Sequence, residues 1–252
     1  MKFEEMINTI QLGDCYELIK NIPDKSINLV YIDIPYLMAE GGHGKSAISQ
    51  RMKNKRTQIR NIINGIDYSI FDELCRIMKN IYIYIWCSKN QILDIMKYFI
   101  DEKHCLFEIL VWCKTNPSPT GNNMYLPDIE YCLMFREPSV TKLNDGYELK
   151  SRWHVSSINK SDKNLYKHPT IKPLELVKRH ILHSTQPNDI VLDCFCGSGT
   201  TCVAAKETGR RYIGIEIDPE YHKIAVNRLN GITANGQTSI FTDFDNLGES
   251  NE

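Results

Sequence analysis

Residues 190–205 read IVLDCFCGSGTTCVAA. An apolar, β-branched run closes on Asp193. A Gly197-Ser198-Gly199 turn follows, and then small residues that suit a helix packed close to a sheet. The pattern predicts a strand over 190–195, a helix over 200–208 and a helix C-cap at Gly209. Residues 211–217, RYIGIEI, predict the next strand, and Pro219 opens a helix over 219–229. Glycines let a backbone pass close to a ligand, and the start of a helix offers free N–H groups. Glu216, seventeen positions after Gly199, ends the second strand. A carboxylate there can accept hydrogen bonds from both hydroxyls of a ribose, which points to a nucleoside-containing cofactor across the two strand ends. The competing reading is an ordinary strand-to-helix turn. A dinucleotide would use the same logic with a third glycine; Thr201 or Cys202 stands at that place, so the dinucleotide fingerprint is incomplete.

The same rhythm runs through the rest of the chain. Strands are predicted over 26–32, 81–87, 105–112 and 129–135. Helices are predicted over 67–79, where Ile70, Phe71, Leu74, Ile77 and Met78 recur at helical spacing, from a cap at Ser88 to about residue 103, and over 173–183. Strands alternating with helices of this length give an α/β fold, a mainly parallel sheet with helices on both faces. The chain has 252 residues and 42% hydrophobic content, enough for a sizeable core. Its net charge of -1 argues against binding nucleic acid through bulk charge. That total conceals a polarised chain. Residues 41–65 hold Lys45, Arg51, Lys53, Lys55, Arg56 and Arg60 and no acid, whereas the tail after Leu229 holds four acids and no base. No apolar run is long enough to span a bilayer, and MKFEEMINTI lacks a signal peptide's apolar region, so the expectation is a cytoplasmic protein with no membrane partner. The nine cysteines include a CxC but no CxxC, and they read as small buried hydrophobes; no metal is expected.

Asp33-Ile34-Pro35-Tyr36 directly follows an apolar strand. A carboxylate, a backbone carbonyl and an exposed aromatic at a strand end make a small reaction platform. The aromatic can stack on a planar ring. The two acceptors can take both protons of one exocyclic amino group, favour its pyramidal form and stabilise the positive charge that develops as nitrogen attacks. A plain β-turn is the alternative, since Asp and Pro are common in turns.

Taken together, LDCFCGSGTT, YIGIEID and DIPY resemble the amino-group DNA methyltransferases that use S-adenosylmethionine. The tetrapeptide precedes the glycine turn, as in the circularly permuted β group. Residues 13–36, GDCYELIKNIPDKSINLVYIDIPY, are similar to that group's start, VWCKTNP and DIEYCLMF to its later strands, and His168-Pro169-Thr170-Ile171-Lys172-Pro173 to its HPTxKP element. The resemblance covers most of residues 8–229. It implies a Rossmann-like, seven-stranded, mainly parallel sheet in permuted order, forming one catalytic domain over 1–229; the composition of 230–252, acidic and without a base, reads as a loosely ordered tail. It places Asp193, Phe195, Gly197, Ser198, Gly199 and Thr200 around the cofactor, with Glu216 and Ile217 at its ribose end. Asp14 would lie near the adenine, Thr170 and Lys172 near the methionine end, and Asp33 between cofactor and base. Asp33, Ile34 (through its carbonyl), Pro35 and Tyr36 would hold the target base. The group usually has proline where Ile34 stands; isoleucine frees φ and adds an N–H donor.

The implied function is site-specific transfer of a methyl group to the N6 amino group of an adenine flipped out of DNA. Aspartate at position 33 resembles the adenine enzymes. Cytosine-N4 transfer, a non-catalytic DNA- and cofactor-binding partner subunit, and, more distantly, a dinucleotide oxidoreductase are the alternatives. The expected partner is double-stranded DNA, with the cations of 41–65 on its phosphates and residues 139–167 as the recognition insertion. Trp153, His154 and Asn159 are candidate base readers there, against the ordinary reading of each as structural or incidental, while Trp86 and Trp112 belong to core strands. A cognate restriction endonuclease and a homodimer are further expectations.

Overall fold

The strand Tyr82–Cys87 buries all six of its side chains, as a strand covered on both faces must. The computed structural model describes residues 2–37, 65–119, 125–140, 144, 146, 150–158, 166 and 171–233. Its strands are β1 (Thr9–Leu12), β2 (Leu29–Asp33), β3 (Tyr82–Cys87), β4 (Leu106–Lys114), β5 (Ile129–Arg136), β6 (Trp153–Ser156), β7 (Ile190–Asp193) and β8 (Arg211–Glu216). They form one sheet in the order β1-β8-β7-β2-β3-β5-β4-β6. All neighbours pair in parallel except β5, which runs antiparallel to both β3 and β4. This is the expected Rossmann-like, mainly parallel sheet, with eight strands among the described residues where the resemblance implies seven. The edge strands β1 and β6 fall outside the predicted runs, because TIQL and WHVS are four residues each and mix polar with apolar.

The helices are α1 (Phe3–Met6), α2 (Cys15–Leu18), α3 (Ile70–Ile77), α4 (Ile92–Met96), α5 (Leu174–Ser184), α6 (Thr200–Glu207) and α7 (Pro219–Leu229). Alternate residues of the central strands face opposite layers, as the period of two requires. Val30, Ile32, Ile83, Ile85, Leu133 and Phe135 pack with Phe71, Leu74 and Ile77 of α3. Leu29, Tyr31, Tyr84, Trp86 and Met134 pack with Leu176, Val177 and Ile181 of α5. Burying one large aliphatic side chain contributes about 1.5–3 kcal/mol, so these two layers carry most of the stability. Gly214 is needed for close approach: a Cβ there would lie 2.8 Å from Cys202 Sγ and 2.9 Å from Ile10 Cγ1, inside the seam between β8, α6 and β1.

Local side chains explain where several elements end. Asp193 Oδ1 accepts from the Phe195 N–H at 3.1 Å, which turns the chain and ends β7 two residues before the predicted limit. Asp218 caps α7 by accepting from the N–H groups of Glu220 and Tyr221, with Pro219 at the first position. Ser88 does not cap the helix after β3. Its hydroxyl lies 2.9 Å from the Leu37 carbonyl and 2.8 Å from Gln91 Oε1, and the helix starts at Ile92 with Gln91 at its N-cap before passing into a π-helical turn at Lys97–Glu102.

From β2 the chain crosses to β3 on one side, and from β7 it crosses to β8 on the other. The carboxyl ends of β2 and β7 therefore flank a topological switch point, the place where open α/β sheets bind ligands. Asp33 and Asp193 end those two strands.

Candidate active site

Five carboxylates line the carboxyl edge of the sheet. On the β7–β8–β1 side each is held by backbone. Glu216 accepts from the Gly197 N–H at 2.7 Å through Oε2 and from the Asp218 N–H at 2.9 Å through Oε1. Burial nevertheless lifts its carboxyl above the usual range, with these N–H groups opposing the rise. Asp193 is almost fully buried, which pushes its carboxyl up to about 7 against hydrogen bonds from Thr201 and Phe195. Asp14 accepts from the Tyr16 N–H at 2.9 Å and so caps α2. The glycine turn closes over these acids, with Gly197 at φ +50° and Gly199 at φ +75°. A Cβ on Gly199 would also meet Ala225 Cβ at 3.0 Å. Ser198 and Thr200 are buried, and their hydroxyls lie 3.2 and 2.7 Å from Arg228 Nη1. Beside Glu216, Ile217 is 65% exposed, and across the β1–β8 pair Leu12 is 51% exposed.

On the β2–β3–β5 side the carboxylates are held by ammonium groups. Lys172 Nζ lies 2.6 Å from Asp33 Oδ2, 3.0 Å from Glu130 Oε2 and 3.1 Å from the Tyr36 hydroxyl. Lys114 Nζ lies 2.6 Å from Glu130 Oε1. The charges thus alternate along the edge: Lys114, Glu130, Lys172, Asp33. Lys172 also lies over the rings of Trp86 and Tyr36, at 5.1 and 5.4 Å from their centroids. Burial would raise the Glu130 carboxyl, but the two lysines hold it down at about 2. Burial raises Asp33 despite Lys172, and Glu130 adds to the rise. Burial lowers the Lys172 ammonium, but Asp33 and Glu130 outweigh it and hold the group above its ordinary range. Asp33 Oδ1 is buried and has no hydrogen-bond partner among the described residues.

The tetrapeptide is clamped from β3 and the turn after it. Ile34 donates its N–H to the Trp86 carbonyl at 3.2 Å, extending the β2–β3 ladder by a residue, and its side chain is buried. The N–H that isoleucine adds is therefore used. Gln91 Nε2 donates to the Pro35 carbonyl at 3.0 Å, and Asn90 Nδ2 donates to the Leu37 carbonyl at 3.2 Å.

A buried carboxylate oxygen without a hydrogen-bond partner among the described residues, beside an aromatic and one strand away from a glycine turn and a strand-end acid, can accept from an amino group next to a nucleoside cofactor. The family model for DNA methylases (N6_N4_Mtase) matches residues 27–227. The chain belongs to this family. Among curated relatives it is similar to the Type II methyltransferase M2.LlaDCHI of Lactococcus lactis subsp. cremoris, 32% identical over 245 residues, covering 86% of this chain and 87% of the relative. It is likewise similar to the Type II methyltransferase M.HinfI of Haemophilus influenzae, at 32% identity over 253 residues and 92% and 70% coverage. Among solved structures, the M1.HpyAVI–SAM complex aligns at 27% identity with a TM-score of 0.61, covering 88% of this chain and 98% of that one. The cytosine-N4-specific PvuII DNA methyltransferase shares the fold, with a TM-score of 0.67 at 20% identity and 87% and 85% coverage.

For this DNA methylase the structure brings Asp33, Tyr36 and Lys172 together, and it gathers Asp193, Gly197 and Glu216 around the glycine turn. Lys172 sits against the tetrapeptide. Trp86 and Trp112 are core, as predicted, and Trp153 is 66% exposed on β6. Thr170, Asn159 and the six cations Lys45, Arg51, Lys53, Lys55, Arg56 and Arg60 lie outside the described residues. Sequence reasoning missed Glu130, Lys114 and Gln91. Because β5 is reversed, its first residues sit beside the last residues of β3 and β4, with Trp112 opposite Glu130 and Cys87 opposite Tyr131. The available signal was a lone lysine ending one apolar strand and a lone glutamate opening the next.

Proposed function

We propose that the chain transfers a methyl group from S-adenosylmethionine to the N6 amino group of an adenine flipped out of double-stranded DNA. The observation that carries this reading is Asp33 Oδ1, a buried acceptor without a partner among the described residues, beside Tyr36 at the switch point of the sheet. The cofactor fits the other half of the edge. Glu216 is oriented by two N–H groups, which leaves lone pairs on both oxygens for the ribose hydroxyls. The exposed side chains of Ile217 and Leu12 offer apolar surface for the adenine, and Asp14 stands nearby at the start of α2. Asp193, Phe195, Gly197 and Gly199 shape the turn. Ser198 and Thr200, whose hydroxyls lie against Arg228, contribute through backbone. Thr170 serves the methionine end, and Lys172, held by Asp33, Glu130 and Tyr36, borders it from the tetrapeptide side. When bound, S-adenosylmethionine supplies a methyl group already activated on a sulfonium.

The protein's own part is to bind and polarise the nucleophile. Flipping delivers the base to Tyr36, whose ring replaces part of the lost stacking, worth about 1–3 kcal/mol per base. Asp33 Oδ1 and the Ile34 carbonyl accept the two amino protons, pyramidalise the nitrogen and stabilise its developing positive charge. The proton then leaves to Asp33 or to solvent. Aspartate at position 33 supports adenine as the base. The cations of 41–65 hold phosphates, and residues 139–167 read sequence. The Type II relatives make a restriction endonuclease of matching specificity the expected companion. A cytoplasmic location follows from the DNA substrate, and no helix among the described residues is long and apolar enough to cross a membrane.

Purified protein incubated with plasmid DNA and methyl-labelled S-adenosylmethionine should place the label in N6-methyladenine. Label only in N4-methylcytosine would reassign the base, and no transfer with intact cofactor binding would make the chain a non-catalytic partner. Changing Lys53, Lys55 and Arg56 to Gln should flatten the dependence of DNA affinity on salt by about 0.9 in log–log slope per lost phosphate contact; an unchanged slope removes that segment from the interface.

A further inference from the structure

The Lys172 ammonium has three donors, and the structure gives it three acceptors: Asp33 Oδ2 at 2.6 Å, Glu130 Oε2 at 3.0 Å and the Tyr36 hydroxyl at 3.1 Å. On the methyl-transfer reading, which this inference rests on, that arrangement poses a problem. The target nitrogen gains positive charge while bonded to Asp33, and an ammonium pressed on the same carboxylate opposes that charge. The lysine cannot simply be released, because a buried ammonium left without a counter-ion is costly. A second carboxylate already touches it. Glu130 holds Lys172 through Oε2 and Lys114 through Oε1, so it is shared between two lysines.

We infer that Glu130 is a positioning residue: it receives Lys172 from Asp33 when the target amino group arrives, with Lys114 setting how strongly it pulls. The four groups act as a latch. Lys172 rests on Asp33 and keeps that carboxylate in place. When the amino group donates to Asp33, the ammonium shifts to Glu130 without ever lacking a counter-ion. No bond is made or broken in this step and no proton changes hands. Glu130 reaches the latch only because β5 is reversed, which brings its amino end to the carboxyl edge of the other strands.

The test is the pH–rate profile of methyl transfer, because its acid limb reports ionisation of Asp33. Among the described residues, the charged and titratable groups facing Asp33 are Lys172 before α5, Glu130 of β5, Tyr36 on its own segment, Tyr31 of β2, Cys87 of β3, Cys132 of β5 and Asp193 of β7. Glu130→Gln removes an acidic neighbour and leaves Lys172 wholly on Asp33. Both changes favour the Asp33 carboxylate, so the acid limb should move to lower pH while kcat falls about tenfold and KM for S-adenosylmethionine stays within about twofold. Lys114→Gln leaves Glu130 to Lys172 alone, pulls the ammonium off Asp33 and should move the limb to higher pH. Glu130→Asp keeps a carboxylate and should recover most of kcat. Shifts of opposite sign are not expected of a residue that merely supports the fold. If Glu130→Gln does not fold, the Lys114→Gln limb decides alone. An active wild type whose variants leave the limb in place, or move it in the same direction, overturns the latch. A wild type that transfers no methyl group overturns the functional reading and the latch together.

Discussion

The two halves of the carboxyl edge hold their carboxylates in opposite ways. On the glycine-turn side, Glu216, Asp193 and Asp14 are fixed by backbone N–H groups, most of them two residues away in sequence, with the Thr201 hydroxyl also on Asp193. On the tetrapeptide side, Asp33 and Glu130 are fixed by lysines, one of them 139 residues from its partner. Backbone donors are neutral, cannot swing away and leave further lone pairs free, which suits a rigid cofactor cradle. Ammonium groups on flexible stems are strong but movable, which suits a pocket that must exchange partners when a base enters. The difference teaches that a shared edge carries two tasks, binding and reacting, and that the kind of donor marks which is which.

The strongest way to break this division is Asp33→Ala. Glu130 still holds Lys172, so the fold should survive, while methyl transfer should fall by on the order of a thousandfold, about 4 kcal/mol of transition-state stabilisation. Retained activity in a labelled-methyl assay would remove Asp33 from its role. Asp193→Asn sharpens the contrast from the rigid side. The Asp193 carboxyl titrates at about 7 in the folded chain, above its ordinary value of 3.8. The folded state therefore holds a proton that the unfolded state has lost between those values, and stability declines as pH rises through that window. The asparagine variant lacks this decline, so it should gain on the wild type by a few kcal/mol between pH 4 and pH 8 in thermal unfolding; parallel curves would contradict the assignment. Gly199→Ala puts a side chain at φ +75° and against Ala225. It should cost about 2 kcal/mol in denaturant unfolding, and no change would show that the turn tolerates a Cβ. Glu216→Gln should have the smallest effect, about tenfold in S-adenosylmethionine affinity or 1.4 kcal/mol by calorimetry.

What the sequence reveals follows the same boundary. The glycine turn, Asp193 and Glu216 are legible because their partners are local: a strand, a turn and a capping interaction occupy a few consecutive residues. The core strands β2, β3, β7 and β8 are legible because burial on both faces leaves continuous apolar runs. Glu130, Lys114 and Gln91 are not, because their role depends on which strand is reversed and on contacts across large sequence separations. Strands β1 and β6 are too short and too mixed to announce themselves. Ser88 misleads for a related reason: a hydroxyl before an apolar helix looks like a cap, but the nearby Leu37 carbonyl and the Gln91 side chain compete for it.

The central claim is that one edge is divided between a cofactor half and a base half. It is tested most directly by measuring the S-adenosylmethionine dissociation constant and the single-turnover methyl-transfer rate, at saturating cofactor, for both Asp33→Ala and Glu216→Gln. The division predicts a crossed result. Asp33→Ala loses the rate with a dissociation constant within about threefold of the wild type, and Glu216→Gln loses affinity with a rate within about threefold. Both variants losing both quantities in proportion would contradict it.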